Sequence, residues 1–370
     1  MASATYQTVP VDDQPLPATD RPKRSRSLVA TFMLAVCIIS FVLQTELAQY
    51  VQKTTSYQKP YFILYVGHSC YIFMLPIQFF TECIVATPDK PFNLMYHVKE
   101  TAASCRKHIQ RSLAELRREQ AVSEKYSDLH FIVVKSIWVA IALTVPAYLW
   151  YVSVNLTSMS NLTAIYNTSC FFAYLFSIFM LGDQLVASKI AAVALCMLGV
   201  FAMAYGDEND DTDDHSILGI LVALLGAATY GFYEVYYKKY ASPVRSTVLF
   251  ANFVTGLIGV MTLLLLWIPI PLLHLTGYER FELPDLRTFV YILGVASMSL
   301  VYNASFMCVI ALVNPVFAAV GVMLTVPAVA VVDVFVTGNM VPTSTITGSV
   351  LILIGFVILN HRVKKEESEQ

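Results

Sequence analysis

Apolar runs long enough to cross a lipid bilayer recur along the whole chain, and they restrict the fold more than any other feature. Hydrophobic residues make up 56% of the sequence and charged residues 14%, against roughly a quarter in soluble domains. Backbone polar groups inside a bilayer must find partners within the protein, which favours helices. The sequence therefore predicts an all-α polytopic membrane protein.

A repeated pattern divides the chain into two halves. Gly182 and Gly338 each follow a long apolar run, each stands next to a small polar residue, and a second apolar run follows. Gly199 and Gly355 then occur at the same spacing. This pattern predicts a helix, a tight turn and a helix at the end of each half.

The apolar runs predict ten transmembrane helices, arranged as two inverted five-helix repeats. The predicted spans lie at about 28–47, 61–86, 130–154, 161–181, 187–205, 216–237, 247–270, 288–311, 315–337 and 344–361. The predicted divisions are a disordered cytosolic tail at 1–27, a first repeat at 28–205 with a cytosolic loop at 87–129, an acidic lumenal loop at 206–215, a second repeat at 216–361 and a cytosolic tail at 362–370.

Lys and Arg residues concentrate on the side that holds both ends of the chain and the loop 87–129. This bias predicts that both termini are cytosolic. Within the loop, residues 99–120 have helical composition, with Ile109, Leu113 and Leu116 on one face. The loop is either a helix on the anionic inner leaflet or a solvated, partly disordered connector.

The sequence contains no nucleophile elbow, no phosphate-binding glycine loop and no Cys/His cluster at metal-ligand spacing. We therefore expect no enzyme activity, no cofactor, no metal site and no nucleic-acid partner. The expected partners are a small-molecule solute and the lipid bilayer, and the sequence is also compatible with a homodimer.

Polar side chains inside the apolar runs are the main candidates for function, because a charged group at mid-membrane costs roughly 2.5–3.5 kcal/mol. They either share a polar cavity that binds substrate or form hydrogen bonds between helices. The candidate substrate-binding residues are Tyr302, Asn303, Tyr230, Tyr233, Asn167, Thr325 and Asn252.

Four acidic residues also lie in or near the spans, and one of them, Glu82, is predicted to form a boundary ion pair. Glu46 and Asp333 are the candidates for coupling to a proton or a cation, and the alternative is that both reach water at the membrane boundary. Glu234 lies close to Lys238 and Lys239, so we predict a boundary ion pair there.

Four stretches carry a resemblance to a known family: residues 45–50, 57–62, 272–284 and 324–327, the last leading to Asp333. With the repeat, they resemble the drug/metabolite transporter superfamily and its two EamA-type repeats. Within it, the chain is similar to the solute carrier family 35 F subgroup, in the branch of human F5-like and fungal vacuolar, thiamine-repressible-type proteins.

The resemblance implies a secondary transporter that moves a small organic solute across an endomembrane by alternating access. A vacuolar membrane is the favoured location, with the Golgi and the plasma membrane as alternatives. Two other functions stay open: a membrane receptor or scaffold that acts through the loop 87–129, and a nucleotide-sugar carrier. Only the stretch around Asn252 resembles a nucleotide-sugar carrier motif.

Overall fold

The computed structural model describes residues 23–55, 57–85, 94–120, 127–182, 187–205, 213–243, 247–312, 322, 324–338 and 340–369. The first half contains α1 Lys23–Gln49, α2 Pro60–Ser69, α3 Met74–Val85, α4 Leu94–Glu119, α5 Asp128–Leu156, α6 Met159–Tyr166, α7 Ser169–Leu181 and α8 Ala187–Tyr205. The second half contains α9 Asp213–Tyr240, α10 Val248–Leu265, α11 Pro269–Leu275, α12 Leu286–Leu312, α13 Thr325–Thr337 and α14 Thr343–Glu369.

The prediction of an all-helical polytopic membrane protein is confirmed. Length and composition identify 7 candidate spans in the described residues: Val29–Thr54, Pro60–Ile84, Asp128–Leu156, Met159–Leu181, Ile217–Tyr240, Val248–Leu265 and Leu286–Phe306. Thr325–Val336 and Thr343–Gly355 are shorter apolar helices. The total of ten spans thus stays a prediction, since much of the ninth, 315–337, lies outside the described residues.

Helices reach into both predicted tails. Residues 1–22 of the predicted tail lie outside the described part, and α1 begins at Lys23. Helix α14 extends through most of the predicted C-terminal tail to Glu369. Of the predicted acidic loop, 206–212 lies outside the described residues, and α9 begins at Asp213.

Two helices occupy matching places in the two halves. Helices α7 and α13 are both 13 residues long. Gly182 ends α7 with φ 78°, and Gly338 ends α13 with φ 73°. A positive φ is a backbone conformation that glycine adopts without steric cost, which explains why both turns carry one.

The helices pack in pairs that mostly join one half of the chain to the other. Helix α1 packs along α12, α5 along α9, and α8 along α14, while α10 lies against α2 and α3. Phe171 of α7 and Leu162 of α6 are fully buried in one core cluster that also includes Val329 of α13. Because lipid is as apolar as these side chains, such interfaces depend on close packing more than on burial from water.

Backbone segments approach closely where α10 passes the 3₁₀ turn Cys70–Phe73 that joins α2 to α3. A Cβ atom added to Gly259 would lie 2.3 Å from the backbone nitrogen of Ile72 and 2.7 Å from the carbonyl carbon of Tyr71. Only glycine allows this separation, so Gly259 fixes the position of α10 relative to the turn.

The predicted loop 87–129 contains a helix that docks on the bundle. Helix α4 buries Leu113 and Leu116, with Ile109 against the same cluster, and this apolar face meets α3, α5 and α10. Arg117 forms a salt bridge with Asp128 at the start of α5. The apolar face of α4, which the sequence placed either on a leaflet or in solvent, therefore packs on protein. Residues 121–126 of the loop lie outside the described part.

A segment that we name the strap, residues 266–285, includes α11 and crosses to the N-terminus of α2. The carboxylate of Glu279 accepts hydrogen bonds from the backbone N–H of Tyr61 at 3.1 Å and of Phe62 at 3.2 Å. The Tyr57 hydroxyl donates to the carbonyl of Glu282 at 2.7 Å. Two stretches that carry the family resemblance, 57–62 and 272–284, are thus in contact with each other.

Candidate functional site

A cavity of about 350 Å³ lies among α1, α2, α5, α6, α7, α9, α12 and the start of α13. This volume is within the range of small-molecule sites. Its aromatic lining residues are Phe41, Tyr71, Trp150, Tyr151, Tyr166, Tyr230, Tyr302 and Phe306. Its polar lining residues include Gln44, His68, Thr163, Asn167, Ser169, Glu234, Ser299, Asn303 and Thr325. Both halves of the chain contribute to this lining.

Five of the seven predicted substrate-binding residues line this cavity: Tyr302, Asn303, Tyr230, Asn167 and Thr325. They come from four separate spans, so the structure brings together side chains that are far apart in the sequence. The shared polar cavity thus holds these five side chains, and two of the candidates lie elsewhere.

Tyr233 and Asn252 are not among the lining residues of the cavity. The ring of Tyr233 packs behind Tyr230, with ring centroids 5.6 Å apart. The Asn252 amide, which is buried, donates to the side-chain oxygen of Gln78 on α3 at 2.5 Å. Asn252 therefore forms a hydrogen bond between helices, which was the alternative to a role in substrate binding.

A break between α6 and α7 carries Asn167 into the cavity wall, where the sequence predicted one continuous span over 161–181. Helix α6 ends at Tyr166, and α7 begins at Ser169. The Asn167 amide donates to the carbonyl of Thr163 at 2.8 Å, and the Thr168 hydroxyl donates to that of Ile165 at 2.6 Å. The same two carbonyls also accept the backbone N–H groups of Asn167 and Thr168, so the side chains add a second hydrogen bond to each carbonyl at the break.

The second half has a similar arrangement at the start of α13. The Thr325 hydroxyl donates to the carbonyl of Val322 at 2.6 Å, and both residues line the cavity. Thr325 begins α13 as Ser169 begins α7, so each half directs one helix N-terminus towards the cavity.

Helix α12 contributes a neighbouring pair of predicted residues. The Tyr302 ring is parallel to that of Phe306, with centroids 6.0 Å apart, and is tilted against Phe41 of α1 at 5.4 Å. The Asn303 amide donates to the carbonyl of Ser299 one turn earlier, at 2.9 Å. These contacts hold the phenol and the amide at fixed positions in the wall.

The two predicted coupling acids lie outside the cavity lining, close to each other. Asp333 is buried and accepts hydrogen bonds from Ser160 at the start of α6, from the hydroxyl at 2.8 Å and from the backbone N–H at 3.3 Å. Glu46 and Lys53 are within electrostatic range of Asp333. Lys53 also donates to the carbonyl of Thr157 at 3.2 Å. The lysine was not part of the sequence prediction.

Sequence reasoning missed several lining residues, most notably His68, Tyr71 and Glu234. His68 is buried and stacks on Tyr71 with centroids 5.1 Å apart. Glu234 forms no salt bridge in the part of the chain that the structure describes, and Lys239 instead donates to the carbonyl of Met180. The nearby lysines made Glu234 look like a boundary residue, whereas its position one turn after Tyr230 could have indicated the cavity.

Comparisons with known proteins agree with this architecture. Residues 217–361 match the EamA-like transporter family. An uncharacterized vacuolar membrane protein of Saccharomyces cerevisiae is 24% identical over 93% of this chain and 93% of its own length. A thiamine-repressible mitochondrial transport protein of the same yeast is 23% identical over 90% of this chain and 92% of its own length.

Human solute carrier family 35 member F3 is 23% identical over 58% of this chain, and the match spans 50% of that protein. The resemblance that the four sequence stretches indicated is therefore confirmed. The chain is thus similar to EamA-type members of the drug/metabolite transporter superfamily, and among them to the solute carrier family 35 F proteins.

Proposed function

We propose that this protein is a secondary transporter that moves a small organic solute across an endomembrane by alternating access. The observation that carries the proposal is the cavity, which both halves line and which two helix N-termini approach. Discontinuous helices around a central site are typical of transporters built from inverted repeats.

The packing pattern supports two inverted repeats. In two repeats of five spans, α1 corresponds to α9, α5 to α12 and α8 to α14. Exchange of the halves then turns the contact between α1 and α12 into the contact between α9 and α5, and it leaves the contact between α8 and α14 unchanged. The equal lengths of α7 and α13 fit the same exchange. An exchange of equivalent conformations between the halves would then open the site to one side and to the other.

The lining of the cavity argues against a nucleotide sugar as the solute. Cationic side chains are the usual partners of a phosphate group, and the described residues of the lining include neither lysine nor arginine. Lys135, the basic residue deepest in the predicted spans, lies instead over the ring of Tyr240 at 4.8 Å. The solute that we propose is therefore a small metabolite without phosphate.

Glu46 and Asp333 are the proposed coupling residues. Their proximity to each other and to Lys53 forms a charged group beside the start of α6, whose other end leads to the break at Asn167. A change in charge there would act on a helix that lines the cavity.

We also propose that both termini are cytosolic and that the membrane is vacuolar, as in one yeast relative, with mitochondrial membranes as the alternative that the other suggests.

Uptake into proteoliposomes tests the transport function. Vesicles with the purified protein are incubated with a metabolite extract, and the enriched solutes are identified by mass spectrometry. Asn303→Leu is expected to lower this uptake about tenfold, because it leaves a polar group of the solute without a partner. Ser297→Leu is the matched control, since this exposed serine of α12 bonds only to its own helix. Equal enrichment in protein-free vesicles would refute transport.

Asp333→Asn tests the coupling. The amide keeps an oxygen that can accept from Ser160 but cannot carry the charge, so solute uptake is expected to continue while its dependence on a pH gradient is lost. Asp285→Asn, in the exposed part of the strap, is expected to keep that dependence. A pH dependence that survives Asp333→Asn would exclude this carboxylate from coupling.

A further inference from the structure

Among the described residues that line the cavity, Glu234 is the one that carries a carboxyl group. It stands one helical turn after Tyr230 on α9, and both side chains line the same wall. Within the described residues, its carboxylate has no salt-bridge partner. The mechanism proposed above does not use it.

Three tyrosines from three different elements line the same cavity as this carboxylate. Tyr71 comes from the 3₁₀ turn, Tyr230 from α9 and Tyr302 from α12. Tyr230 is within electrostatic range of Glu234, Tyr302 and Tyr71, and Tyr302 is in turn within range of Glu234. The faces of aromatic rings attract cations, most strongly where water is excluded.

The other described residues of the lining include no lysine or arginine to balance Glu234, and the two helix N-termini supply only partial positive charge. The remaining polar groups of the lining are hydroxyls, amides and the imidazole of His68, whose Nδ1 is buried and has no hydrogen-bond partner among the described residues. An ionised carboxylate in a low-dielectric site is unfavourable until a counter-charge arrives. A ligand that supplies this charge relieves the cost, and one that also carries a hydrogen-bonding group can pair with His68.

We propose that the cavity binds an organic cation that carries an aromatic ring, and that Glu234 is the residue that selects for the positive charge. Glu234 pairs with the charge, Tyr71, Tyr230 and Tyr302 hold the cationic group by their ring faces, and Trp150 lies in the same lining for stacking against the ligand. This inference rests on the proposed function, since it names the class of solute for the same cavity.

Trp150 provides a direct measurement of binding. The chain has 3 tryptophans, and Trp138 and Trp267 are 57% and 50% exposed, away from the cavity lining. A Trp138→Phe, Trp267→Phe background leaves Trp150 as the sole fluorophore of this type. The probes are 1-methyl-4-phenylpyridinium, a permanent cation, and 4-phenylpyridine, which has nearly the same shape and is neutral at pH 8.

We expect the cation to bind at least about tenfold more tightly than the neutral probe. In Glu234→Gln the affinity for the cation is expected to fall about tenfold, while the affinity for the neutral probe changes less than about twofold. Glu234→Asp keeps the charge and is expected to retain part of the preference. Glu82→Gln is the control, because Glu82 lies outside the lining and accepts a hydrogen bond from Gln78. A melting curve verifies that each variant is folded.

Equal affinities for the two probes, or a cation affinity unchanged in both Glu234 variants, would overturn the inference. Its failure is separable from failure of the transport function. If the proteoliposomes take up only neutral solutes, the inference of a cationic ligand is overturned and the proposed transport function still stands. Tight, Glu234-dependent binding of the cation without any movement into proteoliposomes would support the inference and count against transport.

Discussion

Gly259→Ala is expected to destabilise the protein by about 1–3 kcal/mol, because the new methyl group would overlap backbone atoms that have no rotamer by which to move away. Its Cβ would lie 2.3 Å from the nitrogen of Ile72. Helix α10 would have to shift from the turn, and Tyr71, a cavity residue in that turn, would shift with it. Thermal unfolding in detergent should show a lower melting temperature, and Trp150 fluorescence should show weaker binding of the cationic probe.

Gly294→Ala is the matched control on α12. The nearest atom to its Cβ would be Cδ1 of Leu47 at 3.4 Å, an ordinary contact with a flexible side chain. Alanine also favours a helix over glycine by about 1 kcal/mol, so this variant should be neutral or more stable. Equal melting temperatures for the two variants would contradict the close approach of α10 to the turn.

Glu279→Ala is expected to cost about 1–3 kcal/mol, since it leaves the N–H groups of Tyr61 and Phe62 without their acceptor. Tyr61 is buried, so water replaces the lost carboxylate poorly. Hydrogen exchange should become faster in the strap and at the start of α2. Glu282→Ala, in the same strap, is the control, because its side chain is exposed and only its backbone carbonyl accepts from Tyr57. Similar exchange rates in both variants would show that the strap does not depend on Glu279.

The same residue gives a pH dependence whose sign follows from its environment. Burial raises the pKa of Glu279, although the N–H groups of Tyr61 and Phe62 and the charge of Lys59 act in the opposite direction. Between the unfolded-state pKa and this raised value, the folded protein holds a proton that the unfolded chain has lost. Stability therefore falls as pH rises through this window. Glu279→Gln should flatten the melting temperature across it, and an unchanged slope would assign the dependence to other groups.

The sequence was sufficient for the class of fold and for part of the cavity. Tyr302 and Asn303 were identifiable because a phenol and an amide near the middle of an apolar run need partners or a hydrated space. Their depth along the helix indicated a function, and the structure brings them to the cavity.

Depth alone does not identify the face of a helix on which a residue lies, and this is why Asn252 and Glu234 were misplaced. Asn252 has its partner Gln78 on α3, far away in the sequence, so the pairing could not be read from either stretch. Glu234 has lysines nearby in the sequence that do not pair with it. The break at Asn167 was also missed, because neither proline nor glycine marks it and the side chains of Asn167 and Thr168 stabilise it.

The equal lengths of α7 and α13 have a mechanical consequence. Helix α7 begins after the break at Asn167 and ends at the turn of Gly182, and α13 begins at Thr325 beside the cavity and ends at the turn of Gly338. At 1.5 Å per residue, both helices are roughly 20 Å long. A given rotation about one end would therefore move the far end of α7 as far as that of α13. If both helices rotate in the proposed alternating access, equal rotations open each side of the cavity by the same distance.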